Sequence, residues 1–128
     1  MKYVKQDDGP TCGVACYAMV SGNSFKDAHE KLKPIMNAHG LKTIDLVNAF
    51  KSINCKIIGS DRLRSVGKKS WIDLPQLALV KVRPDNCPKR HWHWVIWNGK
   101  KIYDPVLGKF LPQQYKYDPI SFLEIEYD

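Results

Sequence analysis

The sequence predicts an α+β fold, with helices in the first part of the chain and an antiparallel sheet in the second. Helical spacing of apolar residues is confined to the part before Asn54. Beyond it, short β-prone segments alternate with Pro, Gly and Asn. Because no helical pattern separates these segments, their connections do not suit the crossovers of a parallel sheet. We therefore expect antiparallel pairing, with the N-terminal helix packed on the sheet.

Chain length and composition are typical of one globular domain. The 128 residues are 44% hydrophobic and 26% charged, and we treat residues 1–128 as a single unit. No apolar run approaches the roughly 18 residues of a membrane span, and the first eight residues lack the apolar stretch of a signal peptide. The sequence thus predicts no membrane span and a cytoplasmic protein, or an effector delivered from the cytoplasm. No pattern in it specifies an oligomeric state.

The chain is basic, with 20 Lys and Arg against 13 Asp and Glu and a net charge of +7. Such an excess suits solubility, an acidic partner or nucleic acid. The basic residues cluster at Arg62, Arg64, Lys68 and Lys69, and again at Arg83, Lys89 and Arg90. Neither cluster has a helix-turn-helix, zinc-finger or aromatic stacking pattern, so the sequence disfavours nucleic acid as a partner.

The first predicted helix, Cys12 to Val20, is small and apolar on nearly all sides. Thr11 is available as its N-cap and Gly22 as its C-terminal stop. A helix that is apolar all round has no face for solvent, so we expect this one to be buried.

Two further helices follow. Ser24 and Asp27 have the spacing of a capping box and open a polar helix. The next helix is predicted from an apolar face made of Ile44, Val47 and Phe50.

Five β-prone segments make up the predicted sheet. They are Cys55 to Ile58, Leu77 to Val82, Trp92 to Trp97, Lys100 to Asp104 and Ser121 to Tyr127. Side chains alternate along a strand, so Trp92 and Trp94 should point away from the His93 face as core or second-layer residues, whereas Trp97 shares the face of His93.

The Asn-Gly pair at residues 98–99 predicts a β-hairpin that brings a histidine against an aspartate. Asn-Gly between two β-prone runs is the strongest short-range hairpin signal. With these two residues as the loop, His93 lies directly opposite Asp104, with Cβ atoms about 4.5 to 5.5 Å apart. An imidazole reaches a carboxylate at that separation. His91 falls opposite a residue beyond Pro105, where the ladder does not continue normally, so His91 is a poor candidate for such a pair.

Cys12 is the candidate nucleophile to accompany this pair. It lies at the start of the first predicted helix, where the helix dipole and a nearby imidazolium both favour a thiolate. Cys16, one turn further along, is expected to be a small core residue. All four cysteines are expected to be free thiols, because cytoplasmic proteins seldom keep structural disulfides.

A zinc site is the alternative for the same histidine. Cys87, His91 and His93 are ligand types that zinc accepts, and they lie within seven residues. The two histidines alternate along a strand, however, and no second CxxC or HxxxH supplies a fourth ligand. With His93 assigned to Asp104, we predict neither a metal nor an organic cofactor.

Three short segments carry a family resemblance. They run from Gln6 to Cys16 (QDDGPTCGVAC), from His93 to Ile96 (HWVI) and from Tyr103 to Pro105 (YDP). Their order and spacing resemble those of the double-glycine leader peptidases, the bacteriocin-processing branch of the papain-like cysteine peptidases. The resemblance implies a papain-like fold in which the nucleophile stands at the N-terminus of a helix packed on an antiparallel sheet.

The resemblance also implies roles for four residues. Cys12 would be the nucleophile, His93 the base and Asp104 the group that orients the base. Gln6, six residues before the nucleophile, would donate to the oxyanion hole. The implied activity is hydrolysis of a peptide or isopeptide bond in a peptide or protein substrate, through an acyl-enzyme thioester.

Two other functions use the same fold. A papain-like deamidase or amidase shares the thioester chemistry, and a non-catalytic basic binding module keeps the fold without turnover. Since none of the four residues is missing, an enzyme is expected. Trp71, in a loop-like stretch, is a candidate for the wall of a substrate groove.

Overall fold

The computed structural model describes residues 1–85 and 92–127 and has an α+β fold. Helices occupy the first part of the chain and strands the second, so the predicted class is confirmed. The helices are α1 (Cys12–Ser21), α2 (Phe25–Leu32) and α3 (Thr43–Ser52). Short 3₁₀ helices span Lys33–Ile35, Trp71–Asp73 and Pro112–Gln114.

In the described part of the chain, seven strands form one sheet. They are β1 (Lys56–Ile58), β2 (Arg64–Ser65), β3 (Ala78–Val82), β4 (His93–Trp97), β5 (Ile102–Asp104), β6 (Gly108–Phe110) and β7 (Ser121–Glu126). Their order is β1-β7-β3-β4-β5-β6, and β2 also pairs with β7. Every strand pair is antiparallel, as predicted. The two short strands β2 and β6 were not predicted from the sequence.

Helix α1 is buried on all sides, which confirms the prediction from its composition. Residues 13–20 are all buried. Gly22 ends the helix, and its N–H donates to the carbonyl of Ala18 at 3.0 Å. Thr11 occupies the N-cap position, but its hydroxyl donates to the carbonyl of Asp7 at 2.9 Å instead of accepting from the helix.

The other two helices follow the sequence patterns with one exception. Ser24 Oγ accepts the Asp27 N–H at 3.1 Å, which caps α2 as expected. In α3 the buried face consists of Leu46, Val47, Ala49 and Phe50. Ile44 was predicted on that face but is 54% exposed, because α3 turns its Leu46 side toward the core instead.

The sheet is covered on both faces. Helices α1 and α3 pack on one face, which presents Leu79, Trp94, Ile96 and Leu123. The residues between β2 and β3 and those after β6 cover the other face, which presents Val80, Val95, Trp97 and Ile102. Because the covering elements bury both sides, strands β3 and β4 are almost entirely apolar.

Two tryptophan predictions are wrong. Trp92 was expected in the core or the layer next to it but is 41% exposed, and the Lys81 ammonium lies 3.5 Å from the centre of its ring. Trp71 was a candidate for a groove wall, but it is buried and its Nε1 donates to the carbonyl of Tyr117 at 3.1 Å. Trp94 is buried as predicted.

The hairpin of β4 and β5 forms with a different register from the predicted one. Trp97 pairs with Ile102 instead of Lys100, a shift of two residues. Because the shift is even, no side chain changes face.

The side chain of Asn98 explains this register. Its Oδ1 accepts the N–H groups of Lys100 at 2.9 Å and Lys101 at 2.7 Å. Asn98 therefore precedes the loop, and Gly99, with φ +88°, takes the first central position.

Among residues 1–85 and 92–127, no helix combines the length and apolar character needed to cross a membrane.

Candidate active site

Cys12 is the first residue of α1 and is partly buried. The chain before it makes a turn that two hydrogen bonds fix. The Thr11 N–H donates to the carbonyl of Gly9 at 2.9 Å, and the Thr11 hydroxyl donates to the carbonyl of Asp7 at 2.9 Å. The sulfur is therefore carried at the N-terminus of a buried helix by a well-defined backbone.

A glycine from a distant loop supports the same turn. Gly40 has φ +101°, and a Cβ built on it would lie only 2.7 Å from the carbonyl oxygen of Pro10. The turn and the loop thus approach more closely than a residue with a side chain would allow.

His93 begins β4, Asp104 ends β5, and their side chains are in contact. His93 Nε2 lies 2.8 Å from Asp104 Oδ1. In the observed register Asp104 lies beside Val95, so His93 and Asp104 are diagonal neighbours instead of directly opposed residues. An imidazole is long enough to span such a diagonal. The contact expected from the sequence is present even though the expected register is not.

The carboxylate of Asp104 is fully buried and accepts four hydrogen bonds. Oδ1 accepts from His93 Nε2 and from the N–H groups of Val106 at 2.8 Å and Leu107 at 3.1 Å, while Oδ2 accepts the Tyr115 hydroxyl at 2.6 Å. Burial alone would raise the pKa of Asp104, but these bonds and the charge of His93 lower it below its ordinary value. The site therefore holds an ionised carboxylate in a fixed orientation.

His93 lies between this carboxylate and the Cys12 thiol. Burial lowers the pKa of His93, but hydrogen bonds to Asp104 and Cys12, together with their negative charges, raise it to about 9. Because Asp104 takes Nε2, Nδ1 is the ring nitrogen left for the sulfur. At neutral pH the site thus holds an imidazolium next to the Cys12 sulfur, the arrangement that activates a cysteine.

The other described cysteines are in a different environment. Cys12, Cys16 and Cys55 are all free thiols. Burial, together with the charges of Cys12 and Asp104, raises the pKa of Cys16 well above its ordinary value. Burial also raises the pKa of Cys55 to about 11, although a backbone hydrogen bond opposes the shift. Both are therefore protonated at neutral pH, in keeping with the core role expected of Cys16.

Gln6 lies close to the Asp104 strand end through its backbone. Its N–H donates to the carbonyl of Pro105 at 2.9 Å, and the Tyr3 hydroxyl donates to the backbone carbonyl of Asp104 at 2.6 Å. The Gln6 side chain donates from Nε2 to the carbonyl of Gly9 at 3.2 Å, and its buried Oε1 has no partner within the described residues. Within the described chain it makes no hydrogen bond to Cys12 or His93.

Comparison with known proteins does not assign the chain. No protein-family model matches it, and no curated protein has a significantly similar sequence. The functional assignment therefore rests on the geometry of the site itself.

Tyr115 belongs to this site but was not predicted from the sequence. It follows a 3₁₀ helix after the unpredicted strand β6, and no local motif marks it. The N–H groups of Val106 and Leu107 were missed for the same reason, since their role depends on how the chain turns after β5.

The alternative zinc site is only partly within the described chain. Cys87 and His91 lie outside the described residues, as do Lys89 and Arg90 of the second basic cluster. Within residues 1–85 and 92–127, no group of three or more His, Cys, Asp or Glu residues has the arrangement of a metal site.

Proposed function

We propose that this protein is a papain-like cysteine peptidase, similar to the double-glycine leader peptidases, that hydrolyses a peptide or isopeptide bond. The observation that carries the proposal is the 2.8 Å bond between His93 and the buried Asp104, with Cys12 at the start of α1 close enough to the imidazole to raise its pKa. Covalent hydrolysis of amides needs a nucleophile, a base in contact with it and a group that orients the base. Those three roles fall to Cys12, His93 and Asp104.

Acylation begins with attack of the Cys12 sulfur on the substrate carbonyl carbon. The carbonyl oxygen becomes an oxyanion, which the Cys12 backbone N–H and the amide group of Gln6 stabilise. Gln6 would then exchange its bond to Gly9 for one to the oxyanion. His93 gives its Nδ1 proton to the leaving amine, the C–N bond breaks, and a thioester remains on Cys12.

Deacylation reverses these roles with water as the nucleophile. His93 Nδ1 takes a proton from the water, the new C–O bond forms, and the C–S bond breaks to regenerate the thiolate. Asp104 keeps the proton on Nε2, so that Nδ1 stays the reactive nitrogen in both steps. Its four hydrogen bonds hold this orientation without movement during the reaction.

The architecture supports the papain-like assignment. A buried helix begins at the nucleophile and packs on an antiparallel sheet whose strand β4 begins at the base. This is the arrangement that the family resemblance implies for the N-terminal helix and the sheet.

Alkylation of individual cysteines tests the proposal without a known substrate. Iodoacetamide rates at Cys12, Cys16 and Cys55 are measured by mass spectrometry from about pH 5 to pH 9. We expect Cys12 alone to react rapidly near pH 6, because it alone of the three contacts an imidazolium. In His93→Ala its rate should fall by roughly tenfold or more, since the thiolate loses its counter-ion.

His29→Ala is the matched control for this experiment. His29 lies on α2 against the ring of Phe25, and it is His93 whose pKa Cys12 raises, so removal of His29 should leave the Cys12 rate unchanged. If Cys12 reacts like an ordinary thiol, or at the same rate with and without His93, the peptidase proposal is wrong and a non-catalytic binding module takes its place.

A further inference from the structure

A cavity of about 260 Å³ opens beside the imidazole, next to the turn that follows β5. Its lining residues are Pro84, His93, Asp104, Val106, Leu107 and Tyr117. Val106 and Leu107 are 49% and 46% exposed, so their aliphatic side chains stand partly in solvent. Apart from the His93–Asp104 pair, the lining is largely apolar.

The carboxylate that orients His93 also fixes one wall of this cavity. Val106 and Leu107 donate their backbone N–H groups to Asp104 Oδ1. Their side chains are therefore carried by a turn that is tied to the reacting centre. Partly exposed aliphatic side chains held in this way favour an apolar ligand, which would complete their burial.

The position of the cavity indicates which part of a substrate enters it. In the proposed mechanism His93 gives its proton to the leaving amine, so the departing part of the substrate must contact His93. The cavity is lined by His93 but not by Cys12, which holds the acyl part. Its volume is below the roughly 300 to 1,000 Å³ of small-molecule sites, so it suits a single side chain.

We propose that this cavity is a leaving-group subsite that selects an aliphatic side chain on the residue after the scissile bond. This inference rests on the proposed peptidase function and adds a substrate class to it. A polar side chain would lose much of its hydration there, because the two ionisable groups at the head of the cavity, His93 and Asp104, are already bonded to each other and the rest of the lining is mainly apolar. The subsite also favours peptide bonds over deamidation, since ammonia brings no side chain to fill it.

Partition of an acyl-enzyme between water and added amines tests this inference. Benzyloxycarbonylglycine p-nitrophenyl ester acylates Cys12: a C–S bond forms, a C–O bond breaks, and p-nitrophenolate leaves. An amino acid amide then attacks the thioester: a C–N bond forms, the C–S bond breaks, and the amine proton passes to His93. Leucinamide, asparaginamide and glycinamide are compared at equal free-amine concentration, and the amide product is measured against the hydrolysis product.

We expect leucinamide to capture the acyl group about tenfold better than glycinamide or asparaginamide. An apolar pocket that binds a few extra methylene groups gives a preference of at least this size. The preference should fall to about threefold or less in Leu107→Ala and in Val106→Ala, which remove part of the wall. Ile72→Ala should keep the full preference, because Ile72 is 75% exposed and is not part of the cavity. The ratio is taken within each variant, so differences in acylation rate cancel.

The outcomes distinguish failure of the subsite proposal from failure of the peptidase proposal. An acyl adduct on Cys12 with equal capture of the three amines would overturn the subsite and leave the peptidase proposal standing. A preference for leucinamide that survives both wall substitutions would also overturn the subsite. Absence of any acyl adduct on Cys12 would overturn both proposals together.

Discussion

The Tyr115 hydroxyl donates a 2.6 Å hydrogen bond to Oδ2 of Asp104, and both residues are buried. The ring of Tyr115 packs edge-on against Trp71 at 5.7 Å and against Tyr117 at 5.5 Å, so its position is fixed by aromatic neighbours. Oδ2 of the carboxylate is thereby bonded to an aromatic cluster of Trp71, Tyr115 and Tyr117, while Oδ1 contacts His93.

Tyr115→Phe should lower the free energy of unfolding by about 1 to 3 kcal/mol, because a buried carboxylate loses a hydrogen bond while the ring is kept. Urea unfolding measures this loss. Tyr117→Phe is the matched control, since its hydroxyl makes no hydrogen bond with any residue that the structure describes; its change should stay within about 0.5 kcal/mol. Equal losses in the two variants would contradict the role given to Tyr115.

Cys12→Ala and Cys16→Ala should have opposite effects. Cys12→Ala should abolish the burst of p-nitrophenolate from the ester and change the unfolding free energy by no more than about 1 kcal/mol, because Cys12 is only partly buried. Cys16→Ala should keep the burst but lose about 1 kcal/mol of stability, because it leaves a small void in the core. A burst that persists in Cys12→Ala would rule Cys12 out as the nucleophile.

His93 should make stability depend on pH. Its pKa is about 9 in the folded protein against an ordinary value of 6.5, so the folded state holds the proton more tightly. This stabilisation is fully present below pH 6.5 and is lost as the pH rises to about 9. We expect the free energy of unfolding to fall by up to about 3 kcal/mol across this window.

The difference between wild type and His93→Gln isolates that contribution in urea unfolding at each pH. Burial lowers the pKa of Lys81 to about 8, so the cost of its charge is relieved as the pH rises above 8. Lys81 acts equally in both proteins and cancels in the difference. Parallel pH profiles for the two proteins would show that His93 does not carry the effect.

Gly40→Ala should disturb Cys12 although the two residues are far apart in sequence. A Cβ at residue 40 would press against the carbonyl oxygen of Pro10, which leads into the turn before Cys12. We expect the free energy of unfolding to fall by more than the roughly 1 to 2 kcal/mol that left-handed backbone costs an alanine. We also expect Cys12 to be alkylated more slowly. Urea unfolding and the iodoacetamide assay measure the two effects.

Gly67→Ala is the control for backbone strain alone. Gly67 has φ +64°, and no described atom lies within 4 Å of the position that an alanine methyl group would take there. Its alanine variant should therefore lose stability without changing the Cys12 rate. If both glycine variants slow alkylation equally, close packing against Pro10 is not the cause.

The order of the elements and the His93–Asp104 contact could be predicted because both depend on local patterns. Helical spacing, strand alternation and the Asn-Gly pair are all visible within a few residues of sequence. The hairpin register was wrong because Asn98 uses its side chain to cap the turn, a choice that depends on its bonds to Lys100 and Lys101. The even shift preserved the faces, so the prediction of the contact survived this error.

The features that could not be predicted from the sequence depend on contacts between distant segments. Trp92 is exposed because it covers the Lys81 ammonium from the neighbouring strand, and alternation along β4 alone gives no sign of this. Tyr115 reaches Asp104 only because the short strand β6 folds back along β5. Neither arrangement has a pattern that can be recognised from neighbouring residues.

The bond from the Tyr3 hydroxyl to the Asp104 carbonyl joins positions that are 101 residues apart. During synthesis the ribosome makes Cys12 well before Asp104. At about 5 to 20 residues per second, the growing chain carries the Cys12 thiol for about 5 to 20 seconds before His93 and Asp104 have both been made. The order of translation thus keeps Cys12 apart from the His93–Asp104 pair until the end of β5 has been made, and folding then ties Tyr3 to the sheet at the same point.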